Sequence, residues 1–447
     1  MLPDAASTDP ALPEILPRPP AATPSGPVRV IADRDGYDEA VRRIAAGTGP
    51  IAVDAERASG FRYSQRAYLV QLYRRGSGTL LLDPPAIGDF SALADAMRGE
   101  EWILHAASQD LPCLRELGLD PERIFDTELA GRLLGFERVG LAAVVEQLLG
   151  LHLAKEHSAA DWSTRPLPRS WLEYAALDVE VLVDLRERLG AELEETGKAG
   201  WARQEFEALR SFAPASRAEA WRRTSGLHRV RGRRALAAVQ ALWETRDEIA
   251  ARRDVTPGRI VPDAAIVAAA TALPSAGGDG DGDAGRIDKA WLLAVPGFRG
   301  RGAERYAARW VTALRTVAAL EESALPSRSP RGDGPPPPRA WAEKDPVAAA
   351  RLQLARASVG ALAEQHSLPV ENLLTPDTLR RVLWSPPATR DPGDLLDRVV
   401  DRLGDLGARP WQVALTAPLV VTAVLEADAR PPRSPDQDDE GSAGEGV

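Results

Sequence analysis

Pro50-Ile51-Ala52-Val53-Asp54-Ala55-Glu56 is apolar as far as Val53 and then presents two acids one residue apart. Such a run reads as a short buried strand, and side chains on a strand alternate between faces, so Asp54 and Glu56 point the same way. An acidic pair at the end of an apolar strand is costly to bury unless a cation compensates it. A divalent ion such as magnesium is the simplest compensator, because hard cations take carboxylate oxygens. Acids on the solvated face of a surface strand are the plain alternative. Acids elsewhere in the chain decide between the two.

Moving outward, Val28-Arg29-Val30-Ile31 and a helical pattern from Asp33 to Ala46 precede this strand. Two further strands follow, from Ala67 to Tyr73 and from Thr79 to Asp83, and the Arg74-Arg75-Gly76-Ser77-Gly78 turn between them is short enough for a hairpin. Next come a helix from Phe90 to Met97, a strand from Trp102 to His105 and a helix from Asp110 to Leu117. Arg123-Ile124-Phe125-Asp126 reads as a fifth strand, before helices from Thr127 to Leu134 and Leu141 to Leu149 and one long helix from Arg169 to Glu195. A meander followed by strand–helix alternation predicts an α/β domain with a mixed sheet and helices on its faces. From Glu205 onward only helical patterns remain, which predicts all-α domains after it.

With 447 residues the chain exceeds one ordinary core, and two to four domains are expected. The boundaries read as a disordered Pro- and Ala-rich leader over 1–27, the α/β domain over 28–212 and a helical domain over 220–320. A Pro-rich linker over 321–339, a second helical domain over 340–427 and an acidic, disordered tail over 428–447 complete the chain. Gly277 to Gly285 reads as a solvated insertion, since its alternating acids lack the bidentate Glu of a calcium loop. A net charge of -10 argues against a uniformly basic coat, although it averages over domains. The single cysteine, Cys113, excludes an intramolecular disulfide and sits in an apolar helical context that suits a core residue. The N-terminus has neither the basic nor the apolar region of a secretory signal, and no apolar run is read as spanning a bilayer, so no membrane partner and a cytoplasmic location are expected.

Three further positions carry chemistry. Asp110 stands at a helix start after the Trp102–His105 strand, where a first-turn acid also simply favours the helix dipole and Ser108 can serve as the cap. Tyr174 and Asp178 are four residues apart on the long helix and share a face flanked by Ala175, Ala176, Leu177 and Val179. A Tyr–Asp hydrogen bond or an arginine partner would satisfy that carboxylate equally well. Taken together, Asp54, Glu56, Asp110 and Asp178 come from a strand end, a helix start and a helix turn. Four anions brought to one point imply bound cations. Two magnesium ions about 3.5–4 Å apart, clamping a phosphodiester, would use such a set.

The segments Val53-Asp54-Ala55-Glu56, Leu104-His105-Ala106 through Ser108-Gln109-Asp110-Leu111, and Tyr174-Ala175-Ala176-Leu177-Asp178 resemble the three motifs of the ribonuclease D family. These are 3′-5′ exoribonucleases of the tyrosine-bearing branch of the DEDD exonuclease superfamily. Phe125-Asp126-Thr127 and Asp161-Trp162-Ser163-Thr164-Arg165-Pro166-Leu167 are also similar, and the likeness covers about Val28 to Arg210. The resemblance implies a ribonuclease H-like fold. It implies that Asp54, Glu56 and Asp178 hold a first ion, with Asp54 bridging to a second and Asp110 assisting through water. The ions would be Mg2+, with Mn2+ a possible replacement. Tyr174 would orient, and help deprotonate, the attacking water. The product would be a nucleoside 5′-monophosphate cut from a single-stranded RNA 3′ end, as in transfer-RNA or structured-RNA processing. Where the family commonly has Asp-Thr-Glu-Phe, this chain has Asp54-Ala55-Glu56-Arg57, and Arg57 is expected to contact substrate. His105 is expected in the core or behind the ligands, since no second histidine at ligand spacing supports zinc.

Gly226 to Ala319 resembles the helicase-and-ribonuclease-D C-terminal (HRDC) family through Ala238 to Val255, Val261-Pro262-Asp263 and Val295-Pro296-Gly297-Phe298. Nucleic-acid binding is what that likeness implies. Arg222, Arg223, Arg229, Arg231, Arg233 and Arg234 form an acid-free basic run, and Arg299, Arg301, Arg305 and Arg309 a second one beside glycines. Both runs suit phosphate contacts. The last block looks like a second, divergent copy, although its acids between Asp391 and Asp405 equally suit a packing role against the nuclease. A metal-dependent 3′-5′ exoribonuclease is the leading expectation. A DNA-preferring exonuclease and a catalytically inert nucleic-acid-binding scaffold are the alternatives.

Overall fold

The protein is described by a computed structural model that covers residues 19–154, 157, 159–214, 219–274, 286–328 and 334–429. The strands are β1 (Val30–Ile31), β2 (Thr48–Arg57), β3 (Ala67–Arg75), β4 (Gly78–Leu82), β5 (Glu101–Leu104) and β6 (Arg123–Asp126). They form a six-stranded sheet in the order β1-β4-β3-β2-β5-β6. The β2-β3-β4 meander is antiparallel, while β1 joins β4, and β5 and β6 extend β2, in parallel. The mixed sheet expected from the strand pattern is therefore the one observed.

Alternation along β2 decides what each face carries. Ile51, Val53 and Ala55 point to one side, where they pack with Tyr37, Ala40 and Ile44 of the Arg34–Ala46 helix and with Leu111, Cys113 and Leu114. Cys113 is buried there, as expected for a core residue. The other face carries Ala52, Asp54 and Glu56, and it is covered by the helices Arg169–Glu180 and Leu182–Glu195. One long helix was expected here; the chain instead turns at Val181. A twisted sheet explains the break, because the first half packs across β2, β3 and β4 and the second across β2 and β5.

Two further expectations need correction. Ser108 is not a helix cap: it lies within a 3-10 turn, Ala107–Gln109, and Asp110 itself occupies the cap position without a side-chain cap bond. The leader expected to be disordered through Pro27 is placed from residue 19 onward. The Ala22 amide donates to the His152 carbonyl (3.0 Å), the His152 amide donates to the Pro20 carbonyl (2.9 Å), and the Ser25 amide donates to Glu180 Oε2 (2.8 Å). Backbone pairing and a carboxylate, neither visible in the local composition, hold this strap against the Arg169–Glu180 helix. The Gly277–Gly285 insertion, the middle of the Pro-rich linker and the acidic tail lie outside the described residues.

Beyond Glu205 the described residues contain helices and no strands. Trp221, Leu242, Ile249, Ile266, Phe298 and Trp310 form the core of the first helical block, closed by the Arg246–Asp263 ion pair at 2.7 Å. That block is anchored to the loop after β2. Tyr63 Oη donates to Asp247 Oδ2 (2.8 Å), and Asp254 Oδ1 accepts from the Ser64 amide (2.8 Å). The last block shares a core with the α/β domain, where Val359, Leu373 and Trp411 pack with Phe125, Leu133 and Phe206. Trp201 and Trp411 stack at 4.7 Å, and Lys198 Nζ bridges the carbonyls of Leu133 (2.7 Å) and His366 (2.6 Å). Against the reading that no run could span a bilayer, one helix, Pro410–Ala429, is long and apolar enough by length and composition. Its apolar residues are accounted for by packing, since Val413, Ala417, Val420 and Val424 lie within this block's core.

Candidate active site

β2, β5 and β6 run parallel, so the chain leaves all three at one edge of the sheet, and a cleft of about 470 Å³ opens there. In open α/β sheets that edge is where ligands bind. Asp54, Glu56, Arg57, Asp110, Tyr174 and Asp178 all line it. The side chains come from four places. Asp54 and Glu56 occupy the β2 face beneath the Arg169–Glu180 helix, opposite Gln71 and Leu69 of β3. Tyr174 and Asp178 descend from that helix, one turn apart, and the tyrosine hydroxyl hydrogen-bonds the carboxylate. Asp110 arrives from the other side of the sheet.

Its position is set by Asp126. That side chain caps the following helix through the amides of Glu128 (2.9 Å) and Leu129 (3.0 Å). It also accepts from the amides of Ala106 (3.2 Å) and Ala107 (2.8 Å), fixing the turn that leads to Asp110. Ala106 takes up φ 61 in that turn, a left-handed conformation that is strained for a residue with a Cβ. The amides of Ala106 and Ala107, both donating to Asp126, hold it there. His105 Nδ1 lies 2.8 Å from Thr127 Oγ1, and burial pushes its imidazole down to about 4, so it is uncharged near neutral pH.

Oxygens of Asp54, Glu56 and Asp178 lie within 4.8 Å of one another. Crowding and burial disfavour their ionised forms. Glu56 is raised well above its ordinary range by burial first and then by Asp54, Asp178 and Asp110. Asp178 is pushed up to about 8 by burial and by Asp54, against the opposing hydrogen bond from Tyr174. Asp54 and Asp110 are raised by burial too, with the Arg57 guanidinium working in the other direction. The Tyr174 phenol is pushed further above its already high range by burial and the nearby carboxylates.

The candidate phosphate ligands divide. Arg233 and Arg234 donate to carbonyls at and after the end of the Ala307–Ala318 helix, Arg234 Nη1 reaching Val317 (2.9 Å), Ala318 (3.0 Å) and Leu320 (2.9 Å). A helix leaves its last carbonyls without internal partners, and Arg234 satisfies those of Val317 and Ala318, while Arg233 donates to Pro326 in the segment beyond. That removes Arg233 and Arg234 from the phosphate-binding set read from the sequence. Arg229, Arg231, Arg299 and Arg301 are exposed on the same block, remote in sequence from the cleft.

Two features were missed in the sequence. Gln71 is fully buried opposite Asp54, and neither its amide nitrogen nor its amide oxygen has a partner. A lone polar residue at the matching position of an otherwise apolar strand was the available signal. Ala22, Thr23 and Pro24 of the strap line a side chamber of about 230 Å³ together with Tyr174 and Asp178. No local pattern announces that contact.

A mixed sheet with acids from three motifs converging at its central strand's end defines the nuclease class in which a 3′-5′ exonuclease domain is the working unit. Residues 28–194 match the 3′-5′ exonuclease family, 235–279 the HRDC domain, and 334–424 the 3′ to 5′ exonuclease C-terminal domain. A ribonuclease D from Sphingobium indicum is 31% identical over 294 residues, spanning 64% of this chain and 72% of that protein. A crystal structure of a Bifidobacterium adolescentis protein superposes with a TM-score of 0.80 at 37% identity, covering 91% of this chain and 99% of that one. Escherichia coli RNase D shares the fold with a TM-score of 0.62 at 22% identity, covering 90% of this chain and 99% of its own. The chain belongs to the ribonuclease D family of 3′-5′ exoribonucleases.

Proposed function

We propose that the protein removes nucleotides from RNA 3′ ends by divalent-metal-dependent hydrolysis, with Asp54, Glu56 and Asp178 as the ligands of an ion. The observation that carries this is the trio of carboxylates converging within 4.8 Å. The donor set fits the group: three hard oxygen donors, each held above its ordinary pKa, suit Mg2+ or Mn2+ and are stabilised when a dication is added. A bound dication supplies Lewis-acid polarisation of the phosphoryl group and acidifies a water. The resemblance implies a second ion, which Asp54 and Asp110 would serve.

The chain's own residues supply binding and orientation. Tyr174 hydrogen-bonds Asp178, and its hydroxyl is thereby placed to orient the attacking water as a hydrogen-bonding partner. Water adds to phosphorus, and the bond to the 3′ oxygen of the preceding nucleotide breaks. A shortened chain with a 3′ hydroxyl and a nucleoside 5′-monophosphate result. Leu153, Ala154 and Leu182 give the cleft an apolar wall suited to the terminal sugar and base. Exposed Arg229, Arg231, Arg299 and Arg301 would track the RNA backbone, on a block tied to the loop that leaves the active-site strand. The E. coli relative is described as an exoribonuclease involved in structured RNA processing. We assign this chain the same substrate class, transfer-RNA precursors among it.

Digestion of 5′-labelled single-stranded RNA beside its DNA counterpart, with Mg2+ or chelator, tests this. A Mg2+-dependent ladder shortening from the RNA 3′ end is expected. Undiminished cleavage in chelator refutes the metal reading, and faster cleavage of DNA refutes the substrate assignment.

A further inference from the structure

The residue after the acidic pair is a cation, and the fold turns it into the cleft. Strand alternation sends Arg57 to the face opposite Glu56, and a register shift separates the two: Glu56 pairs with Leu69, but Arg57 pairs with Ala67. The extra residue is Tyr68 of β3, and a bulge of this kind locally bends and twists the pairing beside the end of β2. The face Arg57 joins is the one covered by the Leu111–Glu116 helix, at whose start Asp110 stands. Arg57 Nη2 lies 4.0 Å from Asp110 Oδ1. The carboxylates are thereby split into two groups. Asp54, Glu56 and Asp178 form the compact trio, while Asp110, across the strand end, faces a guanidinium.

We propose that the Arg57 guanidinium is a resident cation at the second cation position, beside Asp54 and Asp110. The RNA-free enzyme then binds one divalent ion tightly at the Asp54–Glu56–Asp178 trio and a second at least about tenfold more weakly than it would without this arginine. The inference rests on the metal reading above. Its physical basis is repulsion between like charges. With all four carboxylates ionised, Arg57 removes one unit of negative charge from the site before any metal arrives. The first dication removes two more, so the second must enter beside a fixed positive group against little remaining negative charge. A unit charge and a dication a few ångströms apart repel by more than a factor of ten in affinity even with the dielectric constant of water. At 4.0 Å the contact with Asp110 is an ion pair rather than a hydrogen bond, so the planar fork of donors remains available to a phosphoryl oxygen. Arrival of RNA would draw the guanidinium onto the phosphate and release Asp110 for the second ion.

The test is a titration of the full chain with Mn2+ without RNA, read by calorimetry and by the paramagnetic resonance signal of free Mn2+. Wild type, R57M and R57K are compared. Wild type is expected to show one tight ion and a weak second. R57M strengthens the second by about tenfold or more and leaves the first within a few-fold. R57K, which keeps the charge, keeps the second weak. The first-ion affinity reports that each variant has folded, and R57Q replaces R57M if the latter fails that control. Equal second-ion affinity in R57M and wild type, with the first intact, overturns this inference and leaves the metal trio standing. Absence of any bound ion in wild type overturns both.

Discussion

Four carboxylates held together without cations should make the metal-free protein respond to pH in an unusual direction, and Asp178→Asn isolates the effect. The Asp178 carboxyl is pushed from its ordinary 3.8 up to about 8. A group whose folded pKa lies above its unfolded value contributes stability that is fully present below the unfolded value and lost as pH rises through the folded one. The window is therefore roughly pH 4 to 8, with stability falling as pH rises. Each unit corresponds to about 1.4 kcal/mol, so the whole displacement would be ~6 kcal/mol if it belonged to one isolated group. Asp54, Glu56, Asp110 and Asp178 titrate as a set, and the cleft admits water, so removal of one charge recovers a part of that, about 1–3 kcal/mol. In chelator at about pH 8.5, Asp178→Asn is expected to melt roughly 3–10 °C above wild type. The difference should shrink toward zero near pH 4.5 and reverse in saturating Mg2+, where only wild type gains the full binding energy of the ion. Differential scanning calorimetry across this grid is the assay. A mutant no more stable than wild type in chelator at about pH 8.5, or equally stabilised at both pH values, would refute the reasoning.

Other outcomes can be checked alongside. Tyr174→Phe should lower kcat by about 10²-fold while leaving single-stranded RNA affinity within a few-fold, because it removes an orienting hydroxyl and not a charge. Trp411→Ala deletes the stack on Trp201 and the indole bond to Glu205 (2.9 Å), and should cost about 3–5 kcal/mol in urea unfolding. A loss under about 1 kcal/mol would show that the last block does not depend on this contact. Asp254→Ala removes the acceptor for the Ser64 amide and should expose the loop after β2 to proteolysis, with RNA binding weakened more than cleavage of a dinucleotide. Equal losses on both substrates would place Asp254 in the catalytic cleft instead.

The part of the site carried by β2 was legible because it is local. An apolar run ending in Asp54 and Glu56 dictates a strand, and a period of two puts both carboxylates on one face whatever surrounds them. The same holds for Tyr174 and Asp178, one helical turn apart. Helix and strand order along the nuclease was readable for the same reason. Arg233 and Arg234 show where this fails: as a basic run they look like phosphate ligands, but their donors serve carbonyls more than eighty residues away. Ser108 failed on a smaller scale, because the bonds from Asp126 shape its turn more strongly than its own capping preference.

By itself, then, the sequence determined which faces are apolar, where the acids stand within each element, and which motifs order them along the chain. Tertiary structure alone decided that Asp110 crosses the strand end to meet Arg57, that the strap at Ala22 lines a chamber beside Tyr174 and Asp178, that Gln71 lies unpartnered opposite Asp54, and that the last helical block shares the nuclease core. The division follows from physics. Periodicity and turn chemistry act over a few residues and are written in neighbouring letters. Meetings between distant elements depend on how a twisted sheet, a bulge and two consecutive helices pack into the same volume, and no single stretch of the chain encodes that.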